Sequence, residues 1–277
     1  MKKKTDYLFH IYMVLFLAYL LIPLIIMGGA AFNDSKSPSI VPWKGFTLHW
    51  FSELWGDTRI WIAFRNTLVV AVAVAALSVP IGTAAAVLIN SISGRVRAIL
   101  YGVMVAPILA PGIVIGVSTL LFWNKLGVGA GLHLSVLGQV SYIAAFVMLL
   151  VLARLQSFDL GLEEAALDLG ASHAQVMRRI LLPHLYPAMA AGAAIAFFQS
   201  IENLYITLFT RGNADTLTVY VFSKVRTGFP PTINALALML ILVTLAFAAV
   251  YEVSRRRRAA VEAAREAEGR RADEAAL

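Results

Sequence analysis

The chain has 277 residues, of which 60% are hydrophobic and only 14% are charged. A soluble domain carries about a quarter charged residues, so this composition indicates a membrane protein with several spans rather than a soluble enzyme. The absence of cysteine excludes disulfide bonds, thiolate catalysis and cysteine-ligated metal. The net charge of +7 comes from basic residues at the chain ends and between apolar segments, which argues for membrane topology and against nucleic-acid binding.

Six apolar segments have about the 20 residues, or more, that a membrane-spanning helix needs. They cover residues 8–31, 62–89, 98–123, 134–153, 187–209 and 233–251. The first segment resembles a signal peptide at its start, but its apolar run exceeds the roughly 7–15 residues of a signal core. The sequence therefore predicts an all-α polytopic membrane protein with six transmembrane helices.

Lysine and arginine counts predict the orientation of these spans. Basic residues are more numerous before the first span and after the second, fourth and sixth spans than in the intervening loops. This asymmetry predicts that both termini lie in the cytoplasm. It also places the loop at residues 154–186, between spans four and five, on the cytoplasmic side.

The third predicted span contains two prolines, Pro107 and Pro111. Proline removes a helix hydrogen bond, and in a membrane the freed carbonyl needs another partner. This pattern predicts a bent or interrupted helix that lines a pathway. An ordinary kink packed inside the bundle is the alternative.

The cytoplasmic loop begins with signals for a short helix. Ser157 or Asp159 can cap a helix that starts near Leu160. Gly170 then fits the left-handed position that ends a helix. Small residues on this helix leave a flat surface.

A second helix is predicted directly after Gly170. Ser172 and Gln175 form a capping-box pattern, and Pro183 is predicted to stop the helix. A connecting loop needs only a few residues, so about thirty residues of capped helix exceed that need. The loop is predicted to be a docking element for a cytoplasmic partner, and a merely structural connection is the alternative.

Glu202 is the only acidic residue well inside a predicted span. Ionisable residues at such depth are costly and are functional candidates. On a continuous helix, Gln199 and Asn203 would share its face and form a polar stripe. A carboxylate in a water-filled path suits a cationic solute. The alternative is an internal ion pair, for instance with an arginine near the outer face, that serves gating or packing.

The stretch "EAALDLGASHAQVMRRILLP" resembles the signature of the membrane subunits of type I ABC importers. The positions that match this signature are Glu164, Ala165, Ala166, Gly170, Ile180, Leu182 and Pro183. Four further stretches, "FNDSKSPS", "WKGFTLHWFSELW", "AFRNTLVVA" and "GFPPTINALALMLILV", resemble the permease branch that handles spermidine and putrescine.

This resemblance implies a permease domain over residues 1–253, a coupling loop at 157–186 and a charged cytoplasmic tail at 254–277. The loop would insert into a groove of an ATP-hydrolysing subunit. The implied partners are two ATP-binding subunits, a related sister permease, a solute-binding protein at the outer loops and the lipid bilayer of the bacterial inner membrane. ATP and magnesium would be bound by the partner, so no cofactor is expected in this chain. The family commonly has an Asp pair where this chain has Glu202 and Asn203.

Two other functional classes fit the sequence less well than an importer subunit does. An ion-gradient-driven secondary transporter often carries intramembrane acidic residues, but it leaves the capped loop unexplained. An intramembrane enzyme has no support, because the sequence shows neither a nucleophile elbow nor a P-loop. The five histidines are scattered without metal-ligand spacing, so no metal site is predicted.

Overall fold

A computed structural model describes residues 2–275, with side chains described from residue 9 to residue 257. Its helices are α1 (Lys2–Ala31), α2 (His49–Gly56), α3 (Thr58–Ser91), α4 (Gly94–Leu109), α5 (Gly112–Lys125), α6 (Leu132–Leu155), α7 (Leu160–Asp168), α8 (His173–Val176), a π-helical turn (Met177–Leu181), α9 (Leu182–Ile201), α10 (Tyr205–Thr210), α11 (Leu217–Thr227) and α12 (Thr232–Ala275).

Five helical segments in the described part of the chain are long and apolar enough to cross a membrane. A sixth span is formed if α4 and α5 count as one, and these two helices meet at a bend of 104°. The predicted all-α membrane architecture is confirmed. The predicted interruption of the third span is confirmed as well, and it falls between Leu109 and Gly112.

The fifth span differs from its prediction. The helix does not stop at Pro183 but runs over 29 residues, from His173 to Ile201. Within it, the N–H of Leu182 donates to the carbonyl of Met177, five residues earlier, which is the π-helical pattern. The hydrogen-bond register therefore changes directly before Pro183, and proline occupies the first turn of α9, where its missing N–H is tolerated.

The chain divides into two compact units, and the first joins the chain up to Asp57 with the chain from Lys224 onward. In this unit α12 packs against α1 and α2. The loop between α1 and α2 is organised by the fully buried Asn33, whose side-chain amide donates to the carbonyls of Ser39 (2.9 Å) and Pro42 (3.0 Å). The buried indole of Trp50 donates to the Asn33 carbonyl at 2.8 Å, so this tryptophan stabilises the unit from inside.

The second unit runs from Thr58 to Ser223. Its core lies between α3, α6 and α9, which pack together along their lengths. The helices approach closely at Gly82 on α3, where an added Cβ would lie 2.5 Å from the Ala144 carbonyl oxygen and 2.7 Å from the Val147 Cβ. Small residues at such crossings allow helix backbones to approach closely in membranes.

The predictions for the charged tail and for the N-terminal lysines concern side chains outside the described residues. These are Lys2, Lys3, Lys4, Arg258, Arg265, Arg270 and Arg271.

We expect Gly82→Ala to lower the thermal stability of the assembled importer, because its methyl group has no room against α6. Overpacking of this kind costs about 1–3 kcal/mol. The measurement is the fraction of purified complex that remains monodisperse after heating. Gly102→Ala on α4 is the matched control, because a Cβ there meets no atom within 4 Å. Equal heat resistance of both variants would contradict the packing argument.

Candidate functional site

Two interrupted helices meet in the second unit. The α4–α5 pair is broken at Ala110 and Pro111, and α9 is separated from α10 by residues 202–204. The helices after the breaks pack closely, since a Cβ added to Gly116 on α5 would lie 3.0 Å from the Ile206 Cα on α10. Irregular backbone at membrane depth is tolerated where it is buried in protein or lines a cavity. The meeting of two breaks therefore marks a candidate site.

A cavity of about 340 Å³ lies at these breaks. Pro107 and Ala110 line it from the bent third span. The polar and aromatic side chains that line it are Tyr142, Phe146, Gln199, Glu202, Asn203 and Tyr205. Ligand sites of transporters are commonly built from discontinuous helices in this way.

The structure brings the three predicted path residues together, although not in the predicted manner. The sequence predicted that Gln199, Glu202 and Asn203 share one face of a continuous helix. That prediction is wrong, because α9 ends at Ile201 and Glu202 is its C-terminal cap residue. The three side chains nevertheless line the same cavity.

Asn203 explains why the helix is not continuous here. Its side-chain Nδ2 donates to the hydroxyl of Tyr142 on α6 at 3.0 Å, and its Oδ1 accepts from the backbone N–H of Thr207 at 3.4 Å. An asparagine side chain that binds a nearby backbone group offers an alternative to the helical hydrogen bond. Asn203 thereby joins the break to α6 and to the start of α10.

Glu202 has no cationic partner among the side chains that the structure describes between residues 9 and 257. The nearby Arg211 forms its ion pair with Asp215 instead. The internal arginine pair that the sequence left open is therefore not formed in this part of the chain. Glu202 is exposed and lines the cavity.

The electrostatics of the cavity favour a cation. The Glu202 carboxylate stands at the C-terminal end of the 20-residue helix α9, where the helix dipole is negative. The rings of Tyr142, Phe146 and Tyr205 line the same space, and aromatic faces attract cations. The carboxylate charge, the helix dipole and the aromatic rings thus all favour a cation in the cavity.

Sequence reasoning missed Gln139 and Thr207. Gln139 on α6 is fully buried, and its Nε2 donates to the Thr207 hydroxyl at 2.8 Å. A signal was present, because an amide in the middle of the apolar segment "LSVLGQVSYIAAF" is an intramembrane polar residue of the kind that marks functional positions.

The loop at residues 157–183 forms a second candidate site. The Asp159 carboxylate accepts from the Gly161 N–H at 2.9 Å and caps α7, as one of the two sequence alternatives predicts. Gly170 has φ +83°, which confirms the predicted left-handed position. The N–H groups of Gly170 and Ala171 donate to the carbonyls of Leu167 (2.9 Å) and Ala166 (3.0 Å). These two bonds form a Schellman motif, which ends α7.

The predicted capping box of the second loop helix is also present. The Ser172 hydroxyl accepts from the Gln175 N–H at 3.3 Å, and the Gln175 side chain accepts from the Ser172 N–H at 2.8 Å. A groove of about 300 Å³ lies between the end of α7 and α8. Leu169 lines this groove with 89% of its surface exposed.

The seven signature positions differ in exposure. Glu164, Ala165, Gly170 and Pro183 are exposed, and Ala166, Ile180 and Leu182 are half-buried. Gly170 and Ile180 line the groove, whereas no signature residue lines the Glu202 cavity. The loop and the cavity are therefore two separate sites.

Several apolar spans, a cavity between broken helices and a capped, exposed helix pair define this chain as a membrane transport component. Residues 78–259 match the model of the family described as binding-protein-dependent transport system inner membrane component. The chain belongs to this family, and it is the permease subunit of an ABC importer. In this family ATP hydrolysis belongs to a separate partner subunit, so the chain is not itself an enzyme.

Two curated relatives have similar lengths. The chain is 32% identical to the spermidine/putrescine transport system permease protein PotC of Escherichia coli K12 over 235 residues, which cover 84% of this chain and 88% of that protein. It is 33% identical to the putrescine transport system permease protein PotI of Escherichia coli K12 over 232 residues, which cover 80% of this chain and 82% of that protein.

Solved structures share the fold. One is the crystal structure of a bacterial ABC transporter involved in the import of the acidic polysaccharide alginate, with a TM-score of 0.68 and 19% identity, over 88% of this chain and 93% of that chain. A second is the crystal structure of a bacterial alginate ABC transporter in complex with an alginate pentasaccharide-bound periplasmic protein, with a TM-score of 0.67 and 19% identity, over 88% of this chain and 92% of that chain.

Proposed function

We propose that the chain imports a small cationic, polyamine-like solute that a binding protein delivers from outside the inner membrane. The observation that carries this proposal is the Glu202 carboxylate, which has no cationic partner in the described part of the chain and faces a cavity between two broken helices. The two relatives are named for spermidine and putrescine, which are cations. An ion-gradient carrier is not favoured, because the family transports with a binding protein.

The proposed path runs past Glu202, Gln199 and Asn203. The carboxylate attracts an ammonium group, and the two amides and the Tyr142 hydroxyl supply further hydrogen-bonding groups at the cavity wall. Because Glu202 has no cationic partner in the described part of the chain, a cation binds there without displacing one. A cation would therefore exchange quickly, which a transport path requires.

The proposed coupling site is the loop with the signature positions Glu164, Ala165, Ala166, Gly170, Ile180, Leu182 and Pro183. We place it in the cytoplasm, together with both termini, from the distribution of lysine and arginine. Ala165 and the exposed end of α7 permit close approach of a partner surface. The Schellman motif and the capping box hold the two helices at a set angle, so that the loop docks as a rigid unit.

The proposed assembly contains two ATP-binding subunits at such loops and a related sister permease. ATP and magnesium are held by the ATP-binding subunits, and this chain holds no cofactor or metal of its own. In this proposal a solute-binding protein docks on the extracytoplasmic loops. An alginate transporter of the same fold was solved in complex with a periplasmic protein, which supports a partner of this type. Nucleic acid is not a partner in this proposal.

We expect Glu202→Gln to reduce uptake of a cationic solute roughly tenfold, because the variant loses a charge-assisted interaction while keeping its size. The measurement is uptake of labelled putrescine and spermidine into proteoliposomes that contain the assembled importer. Glu202→Asp is the control, since it keeps the charge and is expected to retain the preference for a cation. Unaltered uptake by Glu202→Gln at equal protein amount would contradict the proposed path.

We expect Gly170→Val to abolish the ATPase stimulation that loaded binding protein causes, while insertion into the membrane is retained. A left-handed conformation costs an L-residue roughly 1–2 kcal/mol, and a β-branched residue tolerates it poorly. The variant therefore changes the angle between α7 and α8. The measurements are ATP hydrolysis by the purified importer and the amount of ATP-binding subunit that co-purifies.

Gly170→Asn is the matched control for this variant, because asparagine adopts the left-handed conformation more readily than other residues. It is expected to keep most of the stimulation. Nothing lies within 4 Å of a Cβ at this position, so the two variants differ in backbone preference and not in a steric clash at the Cβ. Full transport by a well-expressed Gly170→Val variant would remove the coupling role.

A further inference from the structure

Gln139 connects the two sides of the helix break in the fifth span. Its Oε1 accepts from the Ser200 hydroxyl at 2.6 Å, and its Nε2 donates to the Thr207 hydroxyl at 2.8 Å. Ser200 lies on α9 before the break, and Thr207 lies on α10 after it. A single side-chain amide on α6 thus joins the two helices on either side of residues 202–204.

All three side chains of this bridge are buried. Gln139 is fully buried, and Ser200 and Thr207 are 5% and 1% exposed. Hydrogen bonds between buried groups are not weakened by competing water, and a buried amide without partners is unfavourable. The bridged arrangement is therefore favoured over one in which the buried Gln139 amide has no hydrogen-bond partner.

The bridge continues to the cavity wall through Thr207. The Thr207 hydroxyl lies 3.5 Å from the Asn203 Oδ1, and the Asn203 Nδ2 donates to the Tyr142 hydroxyl. Tyr142 is one helical turn from Gln139 on α6. The donors and acceptors follow one another consistently, from Ser200 through Gln139 and Thr207 to Asn203.

We propose that Gln139 is a positioning residue for transport: through Ser200 and Thr207 it holds the helix break in the geometry that presents Glu202 to the cavity. It does not line the cavity and does not touch the solute. The proposal rests on the proposed function of the Glu202 cavity. Without the bridge, the break keeps only the hydrogen bonds of Asn203 and Thr218, so residues 202–204 would close more readily into a continuous helix and carry Glu202 away from the cavity.

The test separates positioning from simple stabilisation by comparing two variants of the assembled importer. Gln139→Leu removes both hydrogen bonds and leaves two buried hydroxyls without this partner. The triple variant Gln139→Leu, Ser200→Ala, Thr207→Val also removes those hydroxyls, so it restores an apolar, similarly shaped core. A stabilising role predicts that the triple variant recovers both heat resistance and transport. Positioning predicts recovery of heat resistance only.

A direct readout of the break uses the absence of cysteine from the chain. The variant Glu202→Cys introduces one thiol into this chain, and its rate of reaction with a charged methanethiosulfonate reagent reports access to the cavity. We expect this rate to fall about tenfold in the triple-variant background, since two hydrogen bonds that hold the break are lost. Gly129→Cys is the control, because a Cβ there meets no atom within 4 Å, and its labelling is expected to be unchanged.

The outcomes are distinguishable. Unchanged labelling at position 202, or full uptake by the triple variant, would overturn the positioning role of Gln139. If Glu202→Gln alone leaves uptake unaltered, the proposed path fails, and the labelling rate still decides whether Gln139 holds the break. Reduced labelling together with reduced uptake in a heat-resistant triple variant would support the proposal.

Discussion

Inside a membrane every backbone N–H and C=O needs a partner within the protein, and this requirement governs where the chain is able to leave the helix. The fifth span leaves it at residues 202–204, where neighbouring side chains replace helical hydrogen bonds. The Thr218 hydroxyl donates to the Ile201 carbonyl at 2.7 Å, and the Asn203 side chain accepts from the Thr207 N–H. The cavity exists because these substitutes permit a break at this depth.

Glycines on the neighbouring helices make this arrangement possible. A Cβ at Gly116 on α5 would lie 3.0 Å from the Ile206 Cα, and a Cβ at Gly138 on α6 would lie 2.7 Å from the Ile206 side chain. The short helix α10 therefore fits between α5 and α6 only because both helices present a hydrogen atom there. Close packing then aligns the break in the fifth span with the break in the third.

The loop and the cavity lie at opposite ends of one helix. The helical segment from His173 to Ile201 begins in the loop and ends at Glu202. At 1.5 Å per residue its 29 residues span roughly 40 Å. In the proposed coupling, a displacement of the loop would reach the cavity through this continuous element, and the π-helical turn lies near its loop end.

Features that depend on neighbours along the chain were predictable from sequence. The Asp159 cap, the left-handed Gly170 and the capping box of Ser172 and Gln175 all arise from residues at most a few positions apart. The apolar spans and the break at Pro111 were predictable for the same reason. The prediction that the helix stops at Pro183 was wrong. The π-helical turn that accommodates this proline depends on a hydrogen-bond register that no local sequence pattern reveals.

By itself the sequence determined the all-helical membrane class and the helix caps of the loop, and it predicted an acidic residue inside the fifth span. Only the tertiary structure decided that the helix breaks within the predicted polar stripe. The reason is that the Asn203 side chain binds Tyr142 on α6, which lies 61 positions away in the sequence. The sequence marks Gln139 as a polar residue in an apolar segment, but only the structure identifies its two partners, since both lie on other helices. Local hydrogen bonds follow from sequence spacing, whereas a membrane cavity depends on which distant polar groups meet when the helices pack.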